Sequence, residues 1–211
     1  MFLLTLAYKS RILILFYFMY RHIFKMVEAV VEGVKEAGGE LVVRQVAELI
    51  PEEKWIENMK KAREAMKNIL VADPRKDLKG IDGLIVGTPT RFGNMCAQMR
   101  NFWDQTSQDW AEGMLIGKPA AVFTSSATQH GGQETTIIST MITLLHHGCI
   151  LVGLPYSFKE QMTLEEVTGG SPYGASTISG GMGERMPSKL ELKMAEGLGK
   201  HLTEEAKKLM R

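Results

Sequence analysis

Several common signatures are missing from this chain. No G-x-G-x-x-G opens a helix and no G-x-x-x-x-G-K-[ST] occurs, which argues against a stably held dinucleotide or a P-loop triphosphate. Cysteine is scarce. Cys96 and Cys149 form neither a disulfide framework nor a C-x-x-C pair, which suits a reducing cytoplasm. Neither sign of charge dominates: 25 Lys and Arg face 24 Asp and Glu, no basic stripe stands out, and no nucleic-acid partner is expected. Long apolar runs are lacking too. Only nine uncharged residues separate Arg11 from Arg21, well short of the ~20 that a membrane helix needs, so no membrane span is expected. Residues 1–10 lack the basic start and small-residue cleavage site of a secretory signal. They read as a ragged extension, with a weakly cleaved signal as the alternative. His146 and His147 are adjacent and cannot share a helix face, so no metal site is expected. No Ser-His-Asp arrangement can be read, and the catalytic residues are unknown at this level.

What the chain does have is alternation. Arg11 to Phe18 reads as a buried central strand, followed by a helix from about Ile23 to Ala37 that Gly38-Gly39 ends. Glu40 to Val46 reads as a second strand. Residues 51–70 carry Trp55, Met59, Met66 and Ile69 at helical spacing with charges between, an amphipathic helix for the sheet or for a protomer contact. "GLIVG" (83–87) is a parallel-strand run, Asn94 is placed to cap a helix through Gln105, and "KPAAVFTSS" (118–126) gives a fourth strand. A helix from Glu134 to His147 and a fifth strand "CILVG" (149–153) follow. Residues 155–186, rich in Gly, Ser and Pro, read as a long ordered loop or a lid, and Glu191 to Met210 as a closing helix. The 14 methionines are most simply core filler.

Strands separated by helices of this length predict right-handed crossovers and a doubly wound α/β sheet of five parallel strands with helices on both faces. Ligands of such sheets sit outside the carboxyl ends of the strands. The loops to watch therefore follow the first, third and fourth strands: Met19 to Ile23, "GTPTRFGNM" (87–95) and "SSATQHGGQE" (125–134). The last two are rich in Gly, Thr and Ser, which lets backbone amides approach a planar or anionic ligand.

"GTPTRFGNMCAQMRNFWDQT" (87–106), "HGGQETTIIST" (130–140), "LLHHG" (144–148) and "GGSPYGASTISGG" (169–181) resemble the WrbA-type NAD(P)H:quinone oxidoreductases. The four blocks fall in order, and the likeness runs from about Arg11 to the C-terminus. It implies a single flavodoxin-like domain over 11–211, FMN as cofactor, and NAD(P)H and a quinone as substrates. Carried over by position, the FMN site comprises Phe18, Met19, Tyr20, Arg21, His22 and Ile23 around the phosphate and Thr90, Arg91 and Phe92 around the ring system. Ser125, Ser126, Ala127, Thr128, Gln129, His130 and Gly131 line the other edge, and His146 reaches the flavin from a neighbouring position. Tyr20 and Trp110 border the substrate pocket. The resemblance also implies a homotetramer, for which 51–70 and 155–186 are candidate walls. Taken alone, Trp110 reads as packing, Arg91 as a solvated loop charge and His146 as a helix C-terminal cation.

The first loop departs from the family, which usually shows Ser-Met-Tyr-Gly-His-Ile where this chain has Phe18-Met19-Tyr20-Arg21-His22-Ile23. Phe18 loses a hydroxyl and Arg21 a glycine, but Arg21 adds a cation suited to phosphate. The site reads as altered rather than abolished, and restoring Ser and Gly is expected to strengthen FMN binding. Three functions compete. One is two-electron NAD(P)H:quinone reduction with ping-pong kinetics. The second is flavodoxin-type single-electron transfer, against which the lack of strong acidity counts. The third is a flavin-depleted interaction protein.

Overall fold

The computed structural model describes residues 9–210, so the reading of residues 1–8 lies outside the described residues. Ser10 already belongs to the fold: it is buried, and its carbonyl accepts from the Glu40 N–H at 2.8 Å.

In chain order the elements are β1 (Arg11–Phe16), α1 (Arg21–Glu36), β2 (Glu40–Gln45), α2 (Glu57–Ala65), β3 (Gly83–Arg91), β4 (Asn94–Met95) and α3 (Ala97–Asp104). Then come α4 (Ser107–Ala111), β5 (Pro119–Ser126), α5 (Gln133–His146), β6 (Ile150–Leu151), β7 (Ser176–Ile178) and α6 (Lys189–Leu209). The sheet runs β2-β1-β3-β5-β6, and all of these pairs are parallel. The period-2 alternation of a strand builds two cores. Ile12, Ile14 and Phe16 face Met26, Val30 and Leu202 on α1 and α6, while Leu13 and Leu15 share the other core with Met99, Phe102 and Ile137 on α3 and α5. This is the doubly wound sheet with helices on both faces that the alternation predicts. Chain order reverses between β1 and β3, which opens a crevice at their carboxyl ends.

Four local readings change. The 51–70 helix is helical only over Glu57–Ala65, because Pro51 to Lys54 form a 3-10 turn and Trp55 is extended, its indole donating to the Ile50 carbonyl at 2.8 Å. Met59 and Met66 are buried without a continuous helix joining the whole stretch. Asn94 caps nothing. It lies in β4, antiparallel to the extended end of β3, and α3 starts after Cys96 with no side-chain cap. The fifth strand is split. The chain leaves the sheet at Gly153, where a Cβ would meet the Pro172 carbonyl oxygen at 2.3 Å, and it returns as β7, which continues along β5. Residues 155–186 thus hold a 3-10 turn and a strand rather than loop alone.

Candidate functional site

β1, β3 and β5 each end in one of the three loops singled out above, and the chain brings these loops together. Arg91 reaches back across the first loop, its guanidinium donating to the Thr90 carbonyl at 2.9 Å and lying 3.7 Å from Met19 Sδ. The second and third loops meet backbone to backbone: a Cβ on Gly132, itself at φ +97, would lie 3.0 Å from Gly93 Cα. The Thr136 hydroxyl on α5 donates to Thr90 Oγ1 at 2.6 Å and completes that joint. Ser125 and Ser126 are buried, whereas Ala127, Thr128, Gln129, His130 and Gly131 are exposed. A cavity of about 350 Å³ lies against Gln129, His130 and Gly132 and continues to Thr168 and Gly170.

The first loop has an open side and a closed one. α1 begins after Tyr20 with no side-chain cap, so among the described residues no cap acceptor takes its first N–H groups. Tyr20 is 45% exposed, and Arg21 is exposed with no ion pair among the described residues. Ile23 is core. Phe18 is core as well. Its ring packs 5.9 Å from that of Phe16 with the Arg63 guanidinium 4.9 Å from its centroid, which leaves only backbone for a ligand.

That Arg63 belongs to a network which no local sequence pattern marks. Its guanidinium donates to Glu48 at 2.8 Å and to Gln45 Oε1 at 2.9 Å, while Tyr17 and Gln98 donate to Glu48 at 2.7 and 2.8 Å. Burial opposes ionisation of Glu48, yet the hydrogen bonds from Tyr17, Gln98, the Ile50 amide and Arg63 outweigh it and hold the carboxyl below its usual value. Burial, and then Glu48 itself, push the Tyr17 phenol well above its usual value.

A second hub fixes the returning segment. Glu191 is fully buried and accepts from Gly169 N, Thr177 Oγ1, Ile178 N and Ser188 N between 2.8 and 3.2 Å, with Arg185 as its ion partner at 2.9 Å. The capping box Ser188–Glu191, legible as S-x-x-E, was the available signal. The segment it anchors reaches the third loop, where the Ser179 N–H donates to the Ser126 carbonyl at 2.8 Å.

At the hairpin tip between β3 and β4, Phe92 is fully exposed and adopts φ +52, the one non-glycine at positive φ among the described residues. Such strain persists at ligand clamps. His146 and Trp110 stand elsewhere. Trp110 Nε1 donates to the His146 carbonyl at 2.8 Å, at the end of the 14-residue α5, roughly 20 Å from the loops at its start.

Residues 21–161 match the family model for NADPH-dependent FMN reductase. The chain belongs to this family. A relative from Aromatoleum aromaticum named NAD(P)H dehydrogenase (quinone) is 55% identical over 203 residues, covering 95% of this chain and 98% of its own. A relative of the same name from Geobacter metallireducens is 53% identical, covering 94% and 98%. In fold the chain is similar to a solved flavodoxin, WrbA-like protein from Agrobacterium tumefaciens, with a TM-score of 0.65 at 21% identity over 95% of this chain and 99% of that one. The likeness carried by "GTPTRFGNM" and "HGGQE" is thereby borne out. Among the described residues no helix is long and apolar enough to cross a membrane.

Proposed function

We infer that this protein is an FMN-dependent NAD(P)H:quinone oxidoreductase. The observation that carries the site is the meeting of three strand-end loops beside an uncapped helix start, a free Arg21 and a fully exposed aromatic, Phe92. These residues fit FMN: amides and a cation for its phosphate, a ring and backbone edges for its planar system. FMN supplies the two-electron chemistry when bound, and the protein supplies binding and orientation. In this reading Met19 to Ile23 hold the phosphate end, with Phe18 contributing backbone. Thr90, Arg91 and Phe92 cover the ring system, and Ser125 to Gly131 its other edge. Tyr20 borders a pocket that nicotinamide and quinone occupy in turn, which makes the kinetics ping-pong.

We further propose that the pocket is completed by a second copy in a cytoplasmic homotetramer. His146 and Trp110 are too far from their own loops to line the same pocket, so they would serve a neighbour's. An exposed apolar stripe supports this: Ile138, Ile142 and Leu145 stand 40–55% exposed along α5, next to Trp110 at 58%. The segments 51–70 and 155–186 remain candidate walls, although α2 is short and its exposed positions are mostly charged.

The test is an absorption spectrum of purified protein with FMN. A bound yellow band bleached by NAD(P)H and restored by quinone supports the enzyme. Bleaching only by a reduced protein partner would make it a carrier instead. Light scattering with turnover measured on dilution tests the assembly, and a fully active monomer at every concentration removes it.

A further inference from the structure

His22 belongs to two parts of the molecule at once. As the second residue of α1, its backbone N–H is one of the donors that a helix start leaves free for an anion. Its ring turns the other way. It is 7% exposed, and Nε2 lies 3.1 Å from the Gly183 carbonyl oxygen, to which it donates in the Nε2–H tautomer. Gly183 is at φ +73 in a turn closed by its N–H on the Gly180 carbonyl at 3.2 Å. The same turn is pinned at both ends, by Ser179 on the third loop and by Arg185 on the buried Glu191. One imidazole therefore joins the start of α1 to the segment that closes against the third loop.

We propose that His22 is a positioning residue that couples the flavin phosphate at the start of α1 to the 179–185 turn, taking up a proton from solvent when the phosphate binds. The proposal rests on the FMN reading above and names how that site is linked to its surroundings. A neutral imidazole has one N–H to offer and an imidazolium two. The charged form makes the bond to the Gly183 carbonyl charge-assisted and so holds the turn more firmly. Without an anion, burial lowers the pKa of His22, and the Gly183 and Arg185 carbonyls only partly offset it.

The carboxylates of the elements around it are otherwise engaged. On α1, Lys25 pairs with Glu28. On the turn, Glu184 accepts from the Met182 amide and Arg185 pairs with Glu191 of α6. Arg21 adds a positive charge. Among the described residues no carboxylate holds the ring charged, so an arriving phosphate dianion is the group that would.

Full-length apoprotein titrated with FMN and with riboflavin tests the coupling, using wild type and His22→Gln, which keeps an N–H but cannot charge. Wild type should prefer FMN, and that preference should fall in the variant, by at most about tenfold for one pKa unit of coupling and by less at a pH above the His22 titration. Riboflavin affinity should be unchanged. Calorimetry at pH 7.5 in buffers of different ionisation enthalpy should show proton uptake with FMN, absent with riboflavin and in the variant; the phosphate is already a dianion there, its second pKa being about 6. Equal weakening of both flavins, or no proton uptake by wild type, overturns the proposal. If wild type shows no preference for FMN, the phosphate reading fails and the coupling fails with it. Should the variant not fold, the His22 Cε1–H resonance of wild type still decides: its titration must move to higher pH when FMN is added, and a fixed titration overturns the proposal.

Discussion

The two departures of the first loop from its family, Phe18 and Arg21, have opposite fates three residues apart. Phe18 faces inward. It is 1% exposed and sandwiched between Phe16 and Arg63, above the Glu48 network. Arg21 faces outward at an uncapped helix start, with no ion partner among the described residues. A loop can therefore lose a polar ligand on its inner side and gain one on its outer side without a change of path. The inner residue contributes to stability and the outer one is free for function.

The largest way to break that contrast is on the inner side. Glu48→Ala removes the acceptor shared by Tyr17, Gln98 and Arg63, whose guanidinium is then left half-buried without its charge partner. Loss of about 3–5 kcal/mol in a denaturant melt is expected. Glu48 also titrates in a definite direction. Its folded pKa lies below the usual value, so its contribution is present above the unfolded carboxylate pKa of about 4.3 and is lost as pH falls below that. Wild type should lose stability through this acid window, and Glu48→Gln should flatten the Glu48 share of the slope. An unchanged slope in the variant would mean that the network does not depend on the charge.

Next in size is Phe18→Ser. Reading the sequence, restoring this hydroxyl together with Gly at 21 is expected to strengthen FMN binding. The burial of Phe18 argues against the serine half of that change. The hydroxyl would point at Phe16 and Arg63 and leave a cavity, costing about 3 kcal/mol with no new phosphate contact. Arg21→Ala is the outward counterpart. It should leave the melting curve almost unchanged but weaken FMN by about 10- to 100-fold, as a lost charge-assisted bond would. Riboflavin, which has no phosphate, should bind Arg21→Ala as it binds wild type. If Arg21→Ala shifts stability instead of FMN affinity, the two sides of the loop are not divided in this way.

The legible parts of the molecule are those in which a short stretch carries its own instruction. The continuous apolar runs of β1, β3 and β5 need two buried faces and hence a parallel sheet. α5 and α6 fall within two residues of their expected ends because periodicity and a glycine or capping box mark their limits. Asn94 shows the limit of such signals: the same residue suits a cap or a hairpin, and its place beside β3 decides between them. The split of the fifth strand at Gly153 depends on Pro172, nineteen positions on, whose carbonyl occupies the space of a side chain. Glu48 and Arg63 look like any surface charges until α2 folds over the first loop. Likewise, the loop residues of the candidate site were legible as strand-end Gly, Thr and Ser, but the fixing of the segment beside them by Glu191 was not.

The smallest expected effect sharpens the same contrast at a third position. Phe92 resembles Arg21 in offering its whole side chain to solvent, and it differs in paying for that place with backbone strain. A non-glycine residue at φ +52 costs about 1–2 kcal/mol, and a fully exposed ring recovers nothing by burial. Glycine adopts this conformation freely but loses more entropy on folding. Phe92→Gly should therefore raise apoprotein stability slightly, by about 0.5–1 kcal/mol, the reverse of the usual sign for removing an aromatic side chain. With FMN present the order should invert, because the wild-type ring would then be covering the flavin and the variant would have nothing to cover it with. Thermal melts of both proteins, with and without FMN, read this as a crossing of two differences. If Phe92→Gly is the less stable of the two without flavin, the ring already packs against the protein in solution. The hairpin tip would then be a structural element like Phe18, and not a clamp waiting for a planar ligand.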